Sequence, residues 1–220
     1  MNILVIAPHP DDEVLGCGGT LLRHRRSGDR IHLVFITAMR QELGFTAERI
    51  RARADEIERV RSRLDAAVHC LDYPAATLTD ADAVTMIPTL SALFRSVAPE
   101  TVYLPNRSDA HSDHGVCFDA AYACTKVFRC PSIRNILMYE TVSETDFSPA
   151  LAENVFLPNY FVDISEVVEE KLELMRTYAS ELAEHPFPRS IVALRAIGRL
   201  RGCAAGVEYA EAFQLLKHIR

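Results

Sequence analysis

Residues Ile3-Leu4-Val5-Ile6-Ala7 form an unbroken apolar run that halts at Pro8-His9-Pro10-Asp11-Asp12-Glu13. Such a run reads as a strand buried on both faces, which requires a sheet with helices packed on each side. The two prolines end the strand and stiffen the turn, because proline cannot donate to a sheet ladder. An imidazole and three carboxylates therefore stand at the carboxyl end of a buried strand, with Gly16-Cys17-Gly18-Gly19 just behind them. In open α/β sheets this is the end at which ligands bind.

The rest of the chain alternates in the same sense. Helical spacing covers 13–26, Ser27-Gly28-Asp29 turns the chain, and His32 to Thr37 reads as the next strand, giving one βαβ unit. A charged helix is expected over 47–66, a strand over 68–71, a helix over 82–97 and a strand over 101–104. A helix behind His114 to about Phe128, strands at 136–140 and 160–164, a helix over 165–182, and closing helices at 191–203 and 209–216 complete the reading. Alternation of this kind predicts a parallel sheet. No internal repeat or linker is visible, and 220 residues, 49% of them apolar, suit one domain spanning 1–220.

Composition narrows the partners. A net charge of −6 with basic and acidic residues interleaved gives no footprint for nucleic acid or an anionic membrane. No apolar stretch reaches the ~20 residues of a membrane span. The six cysteines form no Cys-x-x-Cys pair and lie mostly in apolar runs, as reduced cysteines in a core would, so a soluble cytoplasmic protein is expected. Cys17 lies close enough to the first cluster to line a pocket.

The second polar cluster, His111-Ser112-Asp113-His114, follows the strand ending at Leu104. A catalytic zinc commonly takes three protein ligands and keeps a position open, and two histidines with one carboxylate suit that shell. His9 and Asp12, three residues apart at a turn entering a helix, can face one ion, and His114 can reach it from the later loop. A bound ion lowers the pKa of its water to ~7. Asp11, adjacent to Asp12 but pointing elsewhere, is the natural general base. His111, as a protonated imidazole, can face the oxyanion of a tetrahedral intermediate, and Asp113 can orient His111 or a ligand histidine and keep it charged. The reaction this assembles is hydrolysis at a carbonyl. Mixed nitrogen and oxygen donors suit one Zn2+ per chain, while Fe2+ or Co2+ fits the same shell.

A plainer reading makes Asp11 and Asp12 caps of the following helix, and His111 to His114 polar residues before another. It is the conjunction of two clusters, each directly behind a buried strand, that favours a site.

Pro8-His9-Pro10-Asp11-Asp12-Glu13, the glycines at 16, 18 and 19, and His111-Ser112-Asp113-His114 resemble the zinc-dependent de-N-acetylases of the LmbE-like or PIG-L family. The resemblance extends to Arg53-Ala54-Asp55-Glu56, Leu71-Asp72-Tyr73-Pro74 and Tyr209-Ala210-Glu211-Ala212-Phe213. It implies a Rossmann-like three-layer α/β domain with a mostly parallel sheet. It makes His9, Asp12 and His114 the metal ligands, Asp11 the base and His111 the stabiliser of the intermediate. It further implies that Arg53 reaches an amino-sugar substrate, although Arg49, Arg51, Arg59, Arg61 and Arg63 around it suit a solvated helix face. Relatives often form homo-oligomers, so self-association is expected to be open to this chain. Ser112 stands where the family usually has proline, Ala75 where an acidic residue often follows Tyr-Pro, and Gln41 where a glycine often precedes Glu42, so the loops that frame substrate differ.

The resulting expectation is removal of acetyl from an N-acetylated amino sugar of the N-acetylglucosamine type. One alternative is an amidase for a larger acyl group, which a roomy cleft would favour. Another is a sugar-binding protein without turnover. A dinucleotide-binding domain is disfavoured, because Gly-x-Gly-Gly is not Gly-x-Gly-x-x-Gly and carboxylates at 11 to 13 would repel a pyrophosphate.

Overall fold

The computed structural model describes residues 1–220 and has a single seven-stranded sheet between helical layers. The strands are β1 (Asn2–Ala7), β2 (Arg30–Ala38), β3 (Ala67–Pro74), β4 (Thr101–Pro105), β5 (Asn135–Tyr139), β6 (Tyr160–Asp163) and β7 (Ala210–His218). The helices are α1 (Asp12–Arg26), α2 (Ala47–Leu64), α3 (Asp80–Val97), α4 (Ser112–Cys124), α5 (Val168–Thr177) and α6 (Ile191–Ala205). The sheet order is β3-β2-β1-β4-β5-β7-β6. The first five strands are mutually parallel, whereas β7 runs antiparallel to both β5 and β6. No helix is long and apolar enough to cross a membrane.

Strand β1 explains the layering. Its odd residues Ile3, Val5 and Ala7 pack with α1, the end of α2 and α5, while Leu4 and Ile6 pack with α3 and α4. The period of two divides one apolar run between two cores. Tyr139 adds a polar tie, its buried hydroxyl donating to the Ile6 carbonyl at 2.7 Å. Close packing also accounts for Gly16, since a Cβ there would fall 2.3 Å from the Tyr139 ring.

The C-terminal segment corrects the sequence reading. In place of the helix expected over 209–216, the chain forms the buried antiparallel strand β7. Alanine and glutamate favour a helix locally, but pairing with β5 and β6 on both sides decides the conformation. Glu211 then lies under the middle of α1. Its carboxylate accepts from the Gly19 and Thr20 N–H groups at 2.8 and 2.7 Å and from Lys171 Nζ at 2.6 Å, while Lys171 also donates to the Leu15 carbonyl. Two further helices are shorter than expected: α4 ends at Cys124, and α5 covers only Val168–Thr177.

The sheet order reverses between β1 and β4. From β1 the chain winds outward through β2 and β3, then returns across the sheet to β4. This switch point opens a crevice at the carboxyl ends of the two strands. The segment after β1 carries His9 to Asp12, and the segment after β4 carries Asp109 to His114.

Candidate active site

His9, Asp12 and His114 converge in that crevice, each offering one donor atom with all three within 4.8 Å of one another. His9 Nδ1 and His114 Nε2 each lie 3.4 Å from Asp12 Oδ2. The outer nitrogens are held by other carboxylates. His9 Nε2 lies 3.0 Å from Asp113 Oδ2, and His114 Nδ1 lies 2.7 Å from Asp109 Oδ2. An ionised carboxylate only accepts, so each outer nitrogen carries a proton, and the two inner nitrogens face Asp12 across the same space. His114 Nε2 is fully buried and makes no hydrogen bond. An orphaned nitrogen of this kind, beside a carboxylate and a second imidazole, fits a divalent cation bound by nitrogen and oxygen.

The electrostatics agree. Burial opposes charge on His9, but the hydrogen bonds to Asp113 and Asp12 outweigh it and raise its pKa to about 9. At His114 burial is likewise outweighed, by the Asp12 charge and the Asp109 bond, giving about 10. Asp12 is held well below the carboxylate range: burial opposes this, and the His114 charge overcomes it. The cluster thus draws positive charge to its centre, which protons supply when no metal is bound.

Asp11 stands apart from this set and does not cap α1. It occupies the N-cap position without a side-chain cap bond, and its φ of 143° is one that side chains other than glycine's rarely accept. Two groups hold it there. Its N–H donates to Glu13 Oε2 at 3.0 Å, Glu13 in turn accepts from the Tyr178 hydroxyl at 2.7 Å, and Arg189 Nη1 donates to Asp11 Oδ2 at 2.9 Å. Burial and the Asp12 charge raise the Asp11 pKa, with the Arg189 guanidinium pulling the other way. Strain retained in a buried loop by so many partners is a common property of catalytic positions.

His111 departs from the expectation of a charged imidazole. Its Nδ1 accepts from the Asp113 N–H at 3.2 Å, so it caps α4 and keeps a lone pair on that nitrogen. Burial and the nearby His9 lower its pKa. The neutral ring therefore carries its proton on Nε2, and its centroid is 4.4 Å from that of His9. The Asp113 carboxylate favours charge on His111, but burial and His9 outweigh it. The same carboxylate holds the His9 ring and ties down the next loop through the Ala76 and Leu78 N–H groups at 2.8 and 3.0 Å.

Arg53 is 5% exposed and so does not belong to a solvated face. Its guanidinium bonds the Pro10 carbonyl and Glu181, approaches Glu56 at 3.2 Å, and lies over the Tyr178 ring at 5.2 Å. It lines a cleft of about 470 Å³ that includes His9, Asp11, Asp12 and His111. Cys17 is buried in the core and does not line this cleft.

Three contributors escape a reading of the sequence. Asp109 lies five residues before His114, and a carboxylate in the loop behind a strand is the available signal. Arg189 bridges Asp11, Glu144 and Ser143, and Glu181 accepts from Arg49 and Arg53; both arrive from the far end of the chain with no local motif.

The family model described as GlcNAc-PI de-N-acetylase, PIG-L, matches residues 4–125. Diacetylchitobiose deacetylase of Thermococcus kodakarensis is 26% identical over 231 residues, covering 99% of this chain and 84% of the relative. Among solved structures, the conserved protein TT1542 from Thermus thermophilus superposes with a TM-score of 0.79 at 27% identity, covering 99% of this chain and 96% of that one. The 4-carboxy-2-hydroxymuconate hydratase GalB of Pseudomonas putida has a TM-score of 0.73 at 20% identity, with 100% and 97% covered, so the fold alone does not fix the reaction. Both segments that build the crevice, after β1 and after β4, fall inside the matched residues, and the chain belongs to the PIG-L family of GlcNAc-PI de-N-acetylases.

Proposed function

We propose that this protein is a metal-dependent amidohydrolase that removes acetyl from an N-acetylated amino sugar of the N-acetylglucosamine class. The observation that carries the reading is the orphaned Nε2 of His114, facing Asp12 and His9 while Asp109 and Asp113 anchor the opposite edges of both rings. Family membership and the likeness to a diacetylchitobiose deacetylase support the substrate class.

His9, Asp12 and His114 are the ligands in this reading. A divalent ion held by these three, zinc by donor type, would supply Lewis acidity toward the amide carbonyl and a water of lowered pKa, ~7. Asp11 is the general base, and Arg189 with Glu13 keeps its carboxylate turned into the cleft. His111 donates Nε2–H to the oxygen that gains charge, as a neutral imidazole. The proton that Asp11 takes from the water then passes to the leaving nitrogen. Arg53 bears on substrate at the cleft wall and, through the Pro10 carbonyl, fixes the turn that carries Asp11. The test is acetate release from N-acetylglucosamine conjugates. Acetate and free amine in equal amounts from the wild type, with release slowed by about 10²–10⁴ in Asp11→Asn, are expected. Equal release by both proteins would remove Asp11 from the chemistry, and none from a metal-loaded wild type would remove the activity.

A further inference from the structure

A second cavity, of about 450 Å³, opens between α6 and the segment 140–156 that follows β5, and it shares no lining residue with the cleft of the candidate active site. That size suits a small molecule. Leu151, Val155 and Phe156 form one apolar wall, and Ile197 and Leu200, three residues apart on a single face of α6, form the other. Leu151, Val155 and Leu200 are each more than half exposed, although they stand together around one concavity. An apolar group seated between them would gain from leaving water.

Two polar groups of the same lining lack partners. Thr141 is wholly buried, and its hydroxyl makes no hydrogen bond. Asp146 accepts from the Ser143 N–H at 2.7 Å but enters no ion pair. The other charged groups there neutralise one another, Arg201 donating to Glu140 through two bonds at 2.8 and 2.6 Å. The cavity therefore carries one uncompensated negative charge beside an apolar surface, a combination complementary to a cation with an apolar body.

The segment that walls this cavity also backs the candidate metal site. Thr145 lines the cavity and donates to Asp109 Oδ1 at 2.6 Å, while Asp109 holds the His114 ring. Its neighbours Ser143 and Glu144 accept from Arg189, which in turn bonds Asp11.

We infer that this cavity is an effector site for a small organic amine, whose ammonium group meets Asp146 and Thr141 and whose alkyl or aryl body lies along α6. Filling the cavity fixes the segment 141–146 and changes how firmly Asp109 holds His114. Binding of the amine is independent of the metal-dependent reading above, whereas its effect on the metal rests on that reading.

The probe is 4-phenylbutylamine, titrated calorimetrically into metal-free protein beside butylamine and 4-phenylbutanoate. It should bind at least about fivefold tighter than the carboxylate of similar shape, and at least about tenfold tighter than butylamine, which lacks the ring. The catalytic cleft also offers carboxylates, so two variants locate the site. Asp146→Asn should weaken binding about fivefold, and Leu200→Arg, at an exposed position of α6, at least about tenfold, both with the wild-type Tm. Equal affinity for amine and carboxylate, or binding untouched by either variant, would overturn the inference. Saturation with the amine should also change zinc affinity, read by chelator competition, at least about threefold in the wild type and not in Leu200→Arg, with zinc changing amine affinity by the same factor. Bound amine with unchanged zinc affinity would refute the effector role. A protein that takes up the amine here but no zinc would refute the metal reading and the effector role together, whereas failure of the amine to bind would refute this inference and leave the metal reading intact.

Discussion

The carboxylate of Asp109 lies 2.7 Å from Nδ1 of His114, and this contact decides which nitrogen of the ring faces Asp12 and His9. Asp109 is itself held by the Asn106 amide and the Thr145 hydroxyl at 2.7 and 2.6 Å, so the orientation reaches back into the ends of β4 and β5. A carboxylate behind a metal-binding histidine fixes the tautomer and raises the basicity of the inner nitrogen.

Asp109→Ala should therefore lower metal affinity by about 10–100-fold without removing a donor atom. Competition against a chromophoric chelator measures it. Affinity equal to the wild type would mean that His114 is oriented by its packing alone.

Asp11→Asn separates base from ligand. Turnover should fall by about 10²–10⁴ while bound metal stays at the wild-type level. Loss of most of the metal would move Asp11 into the coordination shell.

The raised pKa values of His9 and His114, about 9 and about 10, give a pH dependence with a definite sign. In the unfolded chain both titrate near 6.5, so the metal-free protein holds their protons more tightly when folded. Their contribution is fully present below about pH 6.5 and is lost as pH rises through about 9 and 10. Metal-free protein should then melt at a progressively lower temperature above neutral pH, and metal should reverse the loss. Binding at pH 7.5 should release close to two protons, read by calorimetry in buffers of differing ionisation enthalpy. Binding without proton release would show that the two rings are already neutral.

The buried Lys171–Glu211 pair ties α5 and β7 to the middle of α1, the helix that begins at Asp12. Glu211→Ala leaves an ammonium and two backbone N–H groups without their acceptor. The expected loss is about 3 kcal/mol of stability, roughly 10 °C in Tm, by differential scanning calorimetry. A change under 2 °C, roughly the effect of an ordinary surface substitution, would mean that water replaces the carboxylate.

The convergence of His9, Asp12 and His114 is legible in the sequence because the first two directly follow β1 and the third opens the helix that follows β4. Pro8 to Asp12 and His111 to His114 carry their own local signal, and the alternation of elements places both at one end of the sheet. Residues 209–216 mislead because alanine and glutamate carry a helical preference that sheet pairing overrides. Arg189 and Glu181 are invisible because they reach Asp11 and Arg53 only through tertiary packing, from segments without a motif. The neutral state of His111 is hidden as well, because its cap bond to the Asp113 N–H depends on where α4 begins.

Metal stoichiometry decides whether His9, Asp12 and His114 hold an ion. Titration of metal-stripped protein with zinc, followed by elemental analysis after gel filtration, should give one ion per chain for the wild type and essentially none for His114→Ala. Absence of metal from the wild type, or a fully loaded His114→Ala variant, would contradict the account.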